Sequence, residues 1–120
     1  MIGFGPVEVR QLDGQWQEVV AACPVSLNGH PLCTIPAGYR SDGLSRRGWM
    51  PRRWGRFSPR YRAAALLHDY LLDEAWLTKA EIDWLFMGAL RSTGVAALEA
   101  GLFWLAVRTR RPGKRFVRAA

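Results

Sequence analysis

Hydrophobic and polar positions change rhythm midway along the chain. Before residue 45 the apolar residues come in short runs broken by Gly, Pro and Asn; after residue 58 they recur at three- and four-residue spacing. Val7 to Leu12 alternates weakly and ends at Asp13-Gly14, a tight-turn dipeptide, and Trp16 to Ala22 reads as the returning strand. Pro24 to Leu27 and Leu32 to Ile35 flank Asn28-Gly29, a second hairpin signal, and Pro36-Ala37-Gly38 marks a further turn. The pattern predicts about three to five short antiparallel strands between about residues 7 and 40. A sheet of that size is marginal alone and needs helices on one face.

The second half supplies them. Ser58-Pro59 offers an N-cap followed by proline at the first helical position, and predicts a helix over about 59–73. Thr78 with Glu81 three residues on forms a capping box, and Ile82, Leu85, Phe86, Ala89 and Leu90 follow at helical spacing, so a second helix is expected over about 78–92. A third covers about 95–109, after Gly94 and before Pro112-Gly113. The fold class is therefore α+β, with N-terminal antiparallel hairpins and a three-helix C-terminal half. Residues 1–110 read as a single domain and 111–120 as a basic tail. The most apolar stretch, 94–107, is shorter than the ~20 residues of a membrane span and contains Glu99, so it reads as a buried helix. The first fifteen residues carry Glu8, Arg10 and Asp13 without an apolar run, so no signal peptide is expected.

Between the halves lies a segment with neither period. It holds Arg46, Arg47, Arg52, Arg53 and Arg56, with Trp49 and Trp54 between them and Gly and Pro breaking any helix. Charge makes this segment stand out. The 120-residue chain has 17 Lys+Arg against 10 Asp+Glu, a net charge of +7, and eight of its basic residues fall between Arg40 and Arg62. Six more fall between Arg108 and Arg118. Arginine and tryptophan are the residue types that anchor interfaces. The two cysteines, Cys23 and Cys33, lack zinc-site spacing and read as reduced packing residues, with a cross-hairpin disulfide as the alternative in an oxidising compartment.

Candidate chemistry concentrates in polar residues within apolar surroundings. His68 and Asp69 interrupt the apolar run 63–72, with Tyr70 next to them; Asp83 lies on the predicted second helix; Asp42 and Ser45 close the β half. A buried imidazole needs a hydrogen-bond partner and a buried carboxylate needs more than one. One reading is a catalytic cluster of His68, Asp69, Asp83, Asp42 and Ser45, with His68, Asp69 and Asp83 as ligands to one divalent metal ion. The other is a structural network that fixes the long loop onto the helices. No phosphate-binding glycine loop and no Gly-x-Ser-x-Gly occurs.

The order of motifs resembles a known family. Ile35-Pro36-Ala37-Gly38-Tyr39-Arg40-Ser41-Asp42-Gly43-Leu44-Ser45 is similar to its Val-Pro-x-Gly-Phe-x-Thr-Asp-Gly-Ala-Ser motif. Ala64 to Leu71, with His68-Asp69-Tyr70, resembles its Ala-x-x-His-Asp-Tyr-Leu segment, and Asp83 with Phe86 resembles its Ala-Asp-x-x-Phe. These belong to a small tailed-phage and prophage family known as a domain of unknown function (number thirteen fifty-three). The resemblance implies a phage or prophage origin, placing the protein in the host cytoplasm or the virion. It also implies that Asp42, Ser45, His68, Asp69 and Asp83 form a shared polar cluster, and it supplies no activity.

Three functions compete. The first is a virion component, assembly factor or host-interaction protein that binds a phage structural or host protein through Arg46, Arg47, Trp49, Arg52, Arg53, Trp54 and Arg56. The second is a small metal-dependent hydrolase built on the His/Asp cluster. The third is nucleic-acid binding, with the same arginines on phosphates and the tryptophans stacked on bases.

Overall fold

The computed structural model describes residues 2–12, 16–41 and 59–109. These form strands β1 (Ile2–Phe4), β2 (Val9–Gln11), β3 (Gln17–Val19), β4 (Cys23–Leu27), β5 (His30–Ile35) and β6 (Arg40–Ser41), then helices α1 (Pro59–Glu74), α2 (Lys79–Ser92) and α3 (Ala97–Thr109). The fold is α+β, with antiparallel strands in the N-terminal half and three helices in the C-terminal half.

Both expected hairpins are present. β4 and β5 pair with Leu27 opposite His30, across a turn in which Asn28 and Gly29 both have positive φ (51° and 83°). That is the left-handed pair a two-residue turn needs to follow the twist of its strands, and Asn-Gly reaches it at low cost. β2 pairs with β3, Val9 opposite Val19.

The strands divide into two three-stranded sheets, ordered β1-β4-β5 and β2-β3-β6. Two strands lie outside the expected pattern. β1 starts at residue 2, well before residue 7, and pairs with β4; its backbone is tied to α2 where Ile2 N–H donates to Ser92 Oγ at 3.1 Å. An Ile-Gly-Phe segment is too short to show a period of two, so only its tertiary pairing reveals it. β6 is two residues long and pairs with β3, Gln17 opposite Ser41.

The helices close as their end signals require. Thr78 accepts from the Glu81 backbone N–H at 3.2 Å while Glu81 accepts from the Thr78 N–H at 3.0 Å, so two amides without helical partners are satisfied reciprocally. At the other end of α2, Gly94 has φ 94°, and Val95 N–H reaches back to the Leu90 carbonyl at 3.0 Å. The buried Val95 side chain completes this C-terminal motif. α2 packs against α1, α3 and β1, while α1 also meets β5 and β6. Tyr61, Leu67, Ile82, Phe86, Leu90 and Phe103 are fully buried at this junction. Burying an aliphatic or phenylalanine side chain of this kind contributes roughly 1.5–3 kcal/mol.

Cys23 and Cys33 are free thiols. Their strand partners are Ile35 and Val25, so they sit diagonally on one face of the hairpin. Burial first, then the neighbouring Cys23 and Glu74, pushes the Cys33 thiol up to about 11. Such a thiol packs; it is a poor nucleophile at neutral pH. Among the described residues no helix is long and apolar enough to cross a membrane.

Candidate functional site

α2 turns Ile82, Asp83, Phe86, Ala89 and Leu90 into the interior. Four are apolar and one is a carboxylate, with 0% of Asp83 exposed. A bare carboxylate there would be very costly, so its partners decide what the site is. Asp83 Oδ1 lies 2.7 Å from His68 Nε2 on α1. Its Oδ2 accepts from Lys79 Nζ at 2.6 Å and from Arg108 Nη1 at 3.1 Å. Lys79 Nζ also donates to the Val107 carbonyl at 2.5 Å, in the last turn of α3. One carboxylate thus joins all three helices.

The electrostatics follow from this geometry. Burial alone would raise the Asp83 carboxyl, but hydrogen bonds from His68 and Lys79, the charge of His68 and the bond from Arg108 outweigh it and hold it below its ordinary value. An ionised carboxylate only accepts, so Nε2 of His68 carries the hydrogen of their contact. Lys79 and Arg108 bring two positive charges to one negative one, and the negative end of the α3 dipole meets the Lys79 ammonium.

The adjacent residue looks elsewhere. Asp69, about 100° further round α1, turns to the β half, where Ser41 Oγ donates to its Oδ2 at 2.5 Å. Ser41 is buried beside buried Gln17 at the β3–β6 pairing, so Asp69 fastens α1 to that sheet. Tyr70 packs edge-on against Tyr39, ring centroids 5.4 Å apart.

Of the expected cluster, His68 and Asp83 are in contact, while Asp69 accepts a hydrogen bond from Ser41. The metal set His68, Asp69 and Asp83 is not assembled: among the described residues no three His, Cys, Asp or Glu side chains are grouped to hold a metal ion. The physical reason is the angular separation of neighbouring residues on α1, which sends His68 to α2 and Asp69 to β6. Asp42, Ser45, Arg46, Arg47, Trp49, Arg52, Arg53, Trp54 and Arg56 lie outside the described residues. Sequence reasoning missed Lys79 and Arg108 as members of the network, and placed Ser41 only within the motif 35–45. Lys79 had a usable signal, since it stands four residues before Asp83 on the same helix face. Arg108 had none, because its position depends on how α3 packs.

A His–Asp pair can orient a general base, but a base must also reach a substrate proton within ~3 Å. His68 is 7% exposed and packs on Phe86, ring centroids 4.9 Å apart, while the carboxylate is sealed by its donors. The arrangement suits holding helices together better than proton transfer to a ligand.

A family model described as "Protein of unknown function (DUF1353)" matches residues 17–107. The chain belongs to this family. The DUF1353 match begins at β3 and ends in the last turn of α3, so it takes in Ser41, His68, Asp69, Lys79 and Asp83 but not β1, β2 or Arg108. No curated protein and no solved structure matches the chain.

Proposed function

We propose that this DUF1353 protein is a phage or prophage protein that acts by binding a protein partner, through the Arg/Trp-rich segment 46–56. The observation that carries the choice between binding and hydrolysis is the state of Asp83. Both of its oxygens are committed to donors from three helices at zero exposure, which supports reading Asp83 as a structural tie. Chemistry at that cluster would require breaking the bonds that hold the helices. Exposed aromatics support the same reading: Trp84 is 62% and Trp76 53% exposed, and Trp84 stands edge-on to Trp104 at 6.5 Å. Large aromatic surface left in water is a mark of interfaces. A phage origin, and with it the host cytoplasm or the virion as location, rests on the sequence motifs around Ser41, His68 and Asp83.

A photo-crosslinking amino acid placed at Trp49 or Trp54, in cells producing the phage, tests this. The expected product is an adduct with one phage or host protein, lost when Arg52→Glu and Arg53→Glu are introduced together. An adduct with nucleic acid instead, or turnover of a phosphoester or cell-wall substrate that His68→Gln abolishes in a folded protein, overturns the reading.

A further inference from the structure

α3 has two faces, and both are apolar. The inner one, with Ala100, Phe103, Ala106 and Val107, is buried in the core. The outer one is open to water. Leu98, Gly101 and Leu105 stand three and four residues apart and so share one side of the helix. Leu98 is 79% and Leu105 47% exposed, and a methyl group at Gly101 would meet no atom within 4 Å. Half-buried Trp104 carries the face across to α2, where it meets exposed Trp84. A helix apolar all round is normally covered all round. The one carboxylate of α3, Glu99, does not break the face, since it accepts a hydrogen bond from the buried Tyr61 phenol at 2.5 Å. Glu81, three residues before Trp84, is held in the capping box with Thr78.

Charge returns only past the C-terminal end of this face, and it has one sign. Arg108 is engaged with Asp83, but the chain that follows α3 adds Arg110, Arg111, Lys114, Arg115 and Arg118, with no Asp or Glu between 110 and 120. Exposed tryptophans mark an interface whatever covers it. The run of cations beside them selects an anionic cover. Leucines on one side, indoles near the end and cations beyond them form the order of groups met across a bilayer surface, from acyl chains through headgroup level to phosphate. The 13 residues of α3 are too few to span a bilayer, so the helix would lie on the surface.

We infer that the outer face of α3, with Trp84 and Trp104, docks on a membrane surface rich in anionic phospholipid. Leu98 and Leu105 enter the acyl boundary, and the basic residues after Thr109 meet the headgroup phosphates. This goes beyond the protein binding proposed for 46–56 and uses none of that segment's residues.

Sedimentation of the full chain with vesicles tests it, using phosphatidylcholine alone and phosphatidylcholine with phosphatidylglycerol. Binding is expected to the anionic vesicles and to fall as salt rises. Leu98→Ser with Leu105→Ser, both at exposed positions, should weaken it roughly tenfold or more in a protein of unchanged circular dichroism. Arg110→Gln with Arg111→Gln should weaken it by about tenfold. Brominated acyl chains should quench tryptophan emission, and Trp84→Phe with Trp104→Phe should remove most of that quenching. No sedimentation with anionic vesicles overturns the inference. So does binding that the paired leucine substitutions leave unchanged, which would mean that the basic segments adsorb alone. Self-association that those substitutions abolish, in place of vesicle binding, assigns the face to a second copy and also overturns it. None of these variants touches Trp49 or Trp54, so the crosslinking result stands or falls separately.

Discussion

Asp83 shows at the scale of one residue how burial and partnership decide a role. Its folded-state pKa lies below its ordinary value of 3.8, so the carboxylate contributes stability fully above that value. The contribution is lost as pH falls through the depressed folded value. Unfolding midpoints measured from pH 6 down to pH 2 should therefore fall steeply below about pH 4, and the slope should be shallower in Asp83→Asn, which has no proton to take up there. The need for this network was legible in the sequence, because His68 and Asp83 interrupt apolar helix faces and such residues require partners. The identity of the partners was only half legible. Lys79 follows from helix spacing, whereas Arg108 and Ser41 arrive through packing of α3 and β6, which no local pattern encodes. Asp69 and His68 are neighbours in the sequence, yet about 100° of helix rotation separates them, so Asp69 meets Ser41 while His68 meets Asp83.

At the scale of elements, the strongest local signals marked true boundaries. The capping box begins α2 immediately after Thr78, Asn28-Gly29 turns the β4–β5 hairpin, and Gly94 closes α2. Each of these acts within a few residues, so sequence suffices. Thr78→Ala removes the acceptor for the Glu81 amide and should cost about 1 kcal/mol in urea unfolding, with α2 fraying first in hydrogen exchange. The end of α1 departs from this economy. Ala75 follows the helix at φ 55°, a left-handed conformation that costs an L-residue roughly 1 kcal/mol. Ala75→Gly should therefore raise the unfolding free energy by a few tenths to about 1 kcal/mol; a loss of stability would mean that the Ala75 methyl packs more usefully than its backbone is strained. β1 and the division into two sheets were not legible, since strands of two or three residues are defined by the neighbours they pair with.

At the scale of the whole molecule, the proposed function gives the positive charge and the buried cluster different ends. Three helices converge on one carboxylate, and β6 is fastened to α1 through Ser41 and Asp69, so the interior polar groups are spent on cohesion. On the proposed function, binding falls to the Arg/Trp segment 46–56, with Trp76 and Trp84 the large exposed aromatics nearest to it in kind among the described helical half. The most direct test of this division is equilibrium urea unfolding of Asp83→Asn at pH 7. Replacing a residue that catalyses commonly leaves a protein as stable or more stable, because reactive sites are held at the expense of stability. Removing one partner of a buried ionic network instead leaves the others uncompensated, at a cost on the order of 3–5 kcal/mol. A loss of that size, a large share of the 5–15 kcal/mol typical of a domain, is the result expected of a structural tie. An Asp83→Asn protein as stable as the unaltered chain, or more so, would contradict it.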